Sequence, residues 1–274
     1  MIDKFLRVLA PVAAIAITGA LAGSVSGCKG NFSINGLDGG VPLDELDMSG
    51  DAPDSVTLAA PVQLVLKTGK DLKISTKGDD DVIERLRFSL NDGMLAVGMD
   101  DGNWSSDGKT TVNVTMPAPS TITVAGSGSV EAAAMAKSAE LNIMASGAAN
   151  IAKIAADTLD VNIMGSGSVT GAGKADTLEL NIMGSGGAEM PDLTADKAEV
   201  TVAGSGSTAF ASDGTVKANI MGSGNVRVIG RADCTVSSMG SGSLKCEAGA
   251  AEEKPAKKKA AKKPTAKKKT PKKK

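Results

Sequence analysis

The sequence predicts an all-β fold: a single-stranded β-solenoid of the parallel β-helix kind, with an irregular N-terminal β cap and a disordered basic tail. Three observations predict it. A Gly-Ser-Gly triplet recurs about every 19 residues, the residues before each triplet alternate apolar and polar, and the apolar residues are small. Aromatics make up only 2% of the chain, so a core must be built from Val, Ile, Leu, Met and Ala, which suit thin stacked layers.

Residues 1–27 read as a signal peptide. Lys4 and Arg7 give a basic start, and Val8 to Ala22 form an apolar run of 15 residues, too short and too rich in Gly and Ala for a comfortable membrane span. Val25-Ser26-Gly27-Cys28 resembles a bacterial lipobox. That resemblance implies a lipid on Cys28, which would tether the protein to a membrane without making it span. Ordinary secretion, with cleavage near Ala20-Leu21-Ala22, is the alternative. Lys29 follows the cysteine where an Asp would resemble an inner-membrane retention signal. The resemblance therefore implies an outer-membrane or cell-surface lipoprotein; without the lipid, the protein would be periplasmic or secreted.

Residues 28–54 are polar, acidic and rich in Gly, Pro, Asp and Ser, and read as a spacer. The β-solenoid domain is placed at 55–246. Its first part lacks the triplet but keeps the alternation, with candidate strands at Val62–Leu66, Leu72–Ile74, Leu86–Leu90, Met94–Val97 and Val112–Met116. These are read as the first, less regular coils, closing an end that would otherwise expose an aggregation-prone edge. Asp79-Asp80-Asp81 reads as an acidic loop. Asp101, Asn103, Ser105 and Asp107 alternate loosely like a calcium loop, but Val112 stands where the terminal Glu is needed, so a solvated turn is the reading adopted.

The triplet begins at Gly126, Gly165, Gly184, Gly204, Gly222 and Gly240, and Ala145-Ser146-Gly147 fills the gap, giving spacings of 19, 20, 19, 20, 18 and 18 residues. Three residues before each turn stand Thr123, Asn142, Asn162, Asn181, Thr201, Asn219 and Ser237, while the positions two and four before are mostly Ile, Val and Leu. Period two means a strand with one buried face. Stacked coils would align like residues in columns, with the Asn/Thr column forming a hydrogen-bonded ladder outside. A Gly-Ser-Gly loop can also cradle phosphate, but no Lys-Ser/Thr follows and no helix is signalled, so the triplet is a turn. Glu140, Asp160, Glu179 and Glu199 fall in one outward column five before the turn.

An irregular β start, a strand ending at Met116-Pro117 and repeated Val/Ile-x-Gly-Ser-Gly units resemble the head GIN domain family, described as heads of autotransporter adhesins. The resemblance covers Ser55 to Cys246. It implies a β-solenoid and an exported bacterial protein, and it carries over no catalytic residue.

Cys234 and Cys246 lie six residues before and six after Gly240, in columns that are otherwise mostly apolar. In an oxidising envelope they are expected to form a disulfide; two buried free thiols are the alternative. Residues 247–274 are read as the disordered tail. From Ala251 onward they hold twelve Lys and two Glu, a balance of +10, leaving −11 on the rest of a chain whose net charge is −1. The partners this implies are anionic envelope polymers, phospholipid head groups or extracellular DNA, or the acidic body itself. No aromatic or Arg interleaves the lysines, so sequence-specific nucleic-acid reading is not expected.

With no His in the chain, Ser-His-Asp and Cys-His mechanisms and His-based metal sites are excluded. No catalytic residue, cofactor or metal is assigned. The reading is a non-enzymatic envelope protein for adhesion, binding or scaffolding. The alternatives are a purely structural spacer and a polysaccharide-active β-helix enzyme, the latter disfavoured by the shortage of aromatics.

Overall fold

The computed structural model describes residues 40–100 and 109–247. The signal peptide, Cys28, the loosely calcium-like loop at Asp101–Asp107 and the tail beyond residue 247 lie outside the described residues. What is described is a parallel β-solenoid with a short antiparallel cap.

The alternation in the sequence becomes the alternation in burial. In β10 (Ala148–Gly165), Ala149, Ile151, Ile154, Ala156, Leu159, Val161 and Ile163 are buried. Pairs of exposed neighbours at 152–153 and 157–158 break the period, and the Gly-Ser-Gly turn breaks it again. A coil therefore has three straight sides and three corners. The next coils, β11 (Ser168–Gly184) and β12 (Gly187–Gly204), repeat the pattern and pair with β10 and with each other in parallel. Side chains from all three sides meet in one core, and aliphatic residues fill it without large rings.

The turn corner keeps strict register: Gly165 lies against Gly184 and Gly184 against Gly204. Differences in coil length are absorbed mainly at the first corner after the turn, at 152–153 in β10, where register slips between Ile151 and Ile154 and, on the next coil, between Thr170 and Gly173.

The N-terminal half is less regular, as the sequence predicts, but its order along the stack differs from the order of the chain. β1 (Ser55–Leu58), a turn of Ala59-Ala60-Pro61-Val62 and β2 (Gln63–Thr68) form a coil without the triplet. The chain then leaves the stack. It makes β3 (Lys73–Lys77), a one-turn helix α1 (Asp80–Ile83), β4 (Leu86–Asn91), β5 (Met94–Met99) and β6 (Thr111–Met116) before β7 (Thr121–Val124) and β8 (Ser129–Ala132). β1 pairs with β5 on one edge and β7 on the other, and β2 with β6 and β8. The first coil is thus interior, not terminal. The end is closed by β4 and β3, antiparallel to β5 and β6. The reading of Asp79–Asp81 as a loop is corrected: Asp79 caps α1, its carboxylate accepting from the Asp81 N–H at 2.9 Å.

The segment before β1 is attached near its described start, and residues 47–51 are exposed. Val41 bridges Phe88, and Leu43 and Leu46 pack against the core.

Beyond β12 the coils shorten into pairs. β9 (Ser138–Ala145) lies under β10; β13 (Ser207–Ala211) and β14 (Thr215–Gly222) follow β12, then β15 (Asn225–Ile229), β16 (Asp233–Gly240) and β17 (Ser243–Glu247). The last coil is mostly exposed; Val236 is 49% and Met239 75% accessible. Here Cys234 and Cys246 are joined, with their Cα atoms 6.8 Å apart.

Candidate functional site

The side leading into each turn keeps unbroken register along the stack. Three outward columns run along it, fixed by the register of β7, β9, β10, β11, β12, β14 and β16. Five residues before the turn the column reads Thr121, Glu140, Asp160, Glu179, Glu199, Lys217 and Thr235. Three before, it reads Thr123, Asn142, Asn162, Asn181, Thr201, Asn219 and Ser237. The third column, immediately before the turn, is apolar.

The amide column is a ladder over three coils. Asn162 Nδ2 donates to Asn142 Oδ1 at 3.0 Å, and Asn181 Nδ2 donates to Asn162 Oδ1 at 3.1 Å. Asn142 and Asn181 also donate to Glu140 and Glu179 on their own coils, at 3.0 and 3.3 Å. The amides are thereby aligned, and two of the carboxylates are tied to them.

The acidic column stands at the rung spacing of parallel strands, about 4.8 Å. Burial among its neighbours raises the Asp160 pKa first, and the charges of Glu179 and Glu140 raise it further. Lys217 ends the run of negative charge. The carboxylates are distributed one per coil and do not converge. Among the described residues no three His, Cys, Asp or Glu side chains form a metal-ligand group. A shallow hollow of about 230 Å³, lined by Val65, Leu66, Lys67, Glu131, Ala132 and Asn150 among others, has Lys67 and Glu131 as its titratable groups.

Elsewhere the charges pair along the stack. Lys174 Nζ reaches Asp196 on the next coil at 2.9 Å and Asp176 at 3.5 Å. At the open end Glu247 accepts from Lys245 and, at 3.0 Å, from Arg227, and both hold its carboxyl below the usual range.

The turns themselves explain the triplet. The Ser185 N–H and the Gly186 N–H both donate to Gly165 O at 2.9 Å, so each turn hangs on the one before. At Gly184, φ is +126° and an added Cβ would lie 2.4 Å from Gly165 O. Neither a side chain nor a phosphate is called for there: the glycine is required by the neighbouring backbone.

A family model described as "putative auto-transporter adhesin, head GIN domain" matches residues 52–232. The chain belongs to this family. The head GIN domain of this protein has the fold of solved bacterial structures. One is a putative adhesin from Bacteroides fragilis, 18% identical, covering 72% of this chain and 93% of the other, with a TM-score of 0.64. Another, described as a putative lipid binding protein from Parabacteroides distasonis, is 23% identical over 72% and 93% of the two chains, with a TM-score of 0.56. A third, a putative adhesin from Parabacteroides merdae, is 16% identical over 72% and 92%, with a TM-score of 0.52. At these identities the likeness is one of fold. No curated protein matches the chain in sequence. Among the described residues no helix is long and apolar enough to cross a membrane.

Sequence reasoning located the amide and acidic columns and the paired cysteines. It missed the outward apolar column, although the same spacing argument marks it: the residue before the turn is Met in five of the seven repeats.

Proposed function

We propose that this protein is an exported, non-enzymatic binding protein of the cell envelope, tethered through a lipid on Cys28, whose ladder face meets a partner. The observation that carries the reading is that face: a polar surface with aligned amides from Asn142 to Asn181 beside Glu140, Asp160 and Glu179. Its groups repeat at the rung spacing and do not converge. Such a surface suits repeated polar contacts along a partner rather than chemistry at one point. Membership of a family described as adhesin heads supports the same role.

The sequence places the start of the tail at residue 247, but Glu247 ends β17; the Lys-rich residues 251–274 add salt-sensitive attraction to anionic envelope polymers or lipid head groups. A purely structural spacer draws on the same stiff stack, but its role would not depend on the outward side chains.

Intact mass and membrane partitioning of the protein from its host, beside a Cys28→Ser variant, test the tether. A lipidated mass, with the variant released, supports it; an unlipidated soluble form in both cases refutes it. Binding of host cells to surfaces, compared for wild type and for Asn142, Asn162 and Asn181 each changed to Ala, separates adhesion from spacing. Unchanged binding in the triple variant removes the ladder face from adhesion. Deleting 251–274 should weaken envelope association at low salt; unchanged association removes the tail from the mechanism.

A further inference from the structure

The apolar column of the ladder face is made of methionine. On three consecutive rungs it reads Met144, Met164 and Met183, in register. Ala203 interrupts it, and Met221 and Met239 resume it. Met164, Met183, Met221 and Met239 are 38%, 51%, 51% and 75% accessible.

The repeats allow the column to be compared with itself. Four residues before the turn, the inward column exchanges Ile, Leu, Val and Ala, as apolar packing permits. Immediately before the turn, the outward column holds Met or Ala and no branched aliphatic residue. A surface that needed only apolar area would accept Leu, Ile or Val. What Met has and they lack is the thioether.

The stripe is also one side chain wide, with the amide column on one side and the Gly-Ser-Gly turns on the other. That is a poor hydrophobic docking surface, which needs a contiguous patch of a few hundred Å². It is sufficient for a row of ligands. Rungs lie about 4.8 Å apart, and methionine has three rotatable bonds and a polarizable sulfur. Neighbouring thioethers can therefore turn onto one ion between them.

Neutral thioethers favour soft Cu(I) over hard cations, which take carboxylates and carbonyls. Competing soft ligands are few: the chain has no His, and Cys234 and Cys246 are bonded to each other. Glu140, Asp160 and Glu179 stand two columns away on the same face, far enough to be spectators and near enough to draw a cation to it.

We propose that Met144, Met164 and Met183 form a surface site for a soft monovalent cation, Cu(I) or its redox-inert analogue Ag(I). The site uses only neutral ligands and is open to solvent, so it holds the ion reversibly.

The test is an anaerobic titration of the full chain carrying Cys28→Ser, with Cu(I) competed by a chromophoric Cu(I) chelator. Methyl resonances of the methionines are followed in parallel. One ion per chain is expected at the triplet, with the Met144, Met164 and Met183 methyls shifting together. Met183→Leu should weaken binding at least tenfold, and the Met164→Leu, Met183→Leu double variant more. Leu keeps the apolar volume at exposed positions, and circular dichroism checks that the fold is intact. Met48→Leu, at an exposed methionine outside the column, should change nothing. No Cu(I) binding by the parent chain, or parental affinity in the double variant, would overturn the proposal. So would equal methyl shifts with Zn(II).

Discussion

The turn column contains its own control, because one rung departs from glycine. Ala145 occupies the place of the first turn glycine with φ at +81°, while Gly165, Gly184, Gly204, Gly222 and Gly240 lie between +120° and +130°. Two substitutions in one column should then have opposite signs. Ala145→Gly relieves a left-handed L-residue, worth about 1–2 kcal/mol. It gives back about 0.5–1 kcal/mol through the freer unfolded chain. A net stabilisation of about 0.5–1 kcal/mol is expected. Gly184→Ala does the reverse. Its backbone conformation costs a side chain about 1–3 kcal/mol. Its Cβ would stand 2.4 Å from Gly165 O, the oxygen that accepts from Ser185 and Gly186. Moving that carbonyl adds about 1–3 kcal/mol, offset only in part by the stiffer unfolded chain, so a loss of about 2–4 kcal/mol is expected. Urea unfolding followed by far-UV circular dichroism measures both. Because a repeat stack need not unfold all at once, hydrogen exchange at the Ser185 and Gly186 amides gives the local value. Ala145→Gly lowering the midpoint, or Gly184→Ala shifting stability by less than about 0.5 kcal/mol, would refute the argument from φ and close approach.

The bond between Cys234 and Cys246 spans 12 residues, so the chain-entropy model gives it about 3 kcal/mol. Replacing both by Ser should therefore collapse exchange protection in β16 and β17 first, and leave β10 to β12 protected; uniform loss across the stack would contradict this. Asn162→Ala removes two amide hydrogen bonds from a half-buried ladder and should cost about 1–2 kcal/mol; thermal unfolding of Asn162→Ala beside Asn219→Ala, for which no ladder bond is found, checks it. Asp160 has a raised pKa in the folded state, so its ionised form opposes folding at neutral pH, and the penalty fades as pH falls through that raised value. Asp160→Asn should thus stabilise at pH 7, by under about 1 kcal/mol since the column faces solvent, and the gain should vanish in acid; a gain that grows in acid would reverse the sign of the argument.

Much of this architecture is legible in the sequence because a solenoid writes each coil separately. The spacing of the triplets, with the alternation around them, places Asn142, Asn162 and Asn181 in one column before any coordinates are known. Candidate strands upstream also match β2 to β6 closely. The position of the first coil is not legible. Nothing in Ser55–Thr68 says that both of its edges will be covered, since pairing partners are chosen by the chain's later return through β5 and β6. The other two corners are also silent. They carry no fixed residue such as glycine, and differences in coil length are absorbed mainly at one of them. The one-turn helix was hidden for a related reason: Asp79-Asp80-Asp81 is equally suited to a loop and to a capped first turn. The methionine column was overlooked for a different reason, since an alternation argument sorts residues into inside and outside and does not ask why an outside column is apolar.

The interior position of the first coil has a mechanical consequence. A pull applied through the residues before Ser55 along the strand direction would load the ladders of β1 with β5 and with β7 together, in shear. A pull on the chain after Glu247 meets β17, paired along one edge to β15, and the Cys246–Cys234 bond passes that load to β16; only with the bond reduced can β17 be peeled rung by rung. With the bond reduced, the stack is therefore strong where force enters from its N-terminal side and weak where it enters from the other. A tether at Cys28, as proposed, would draw on the strong side.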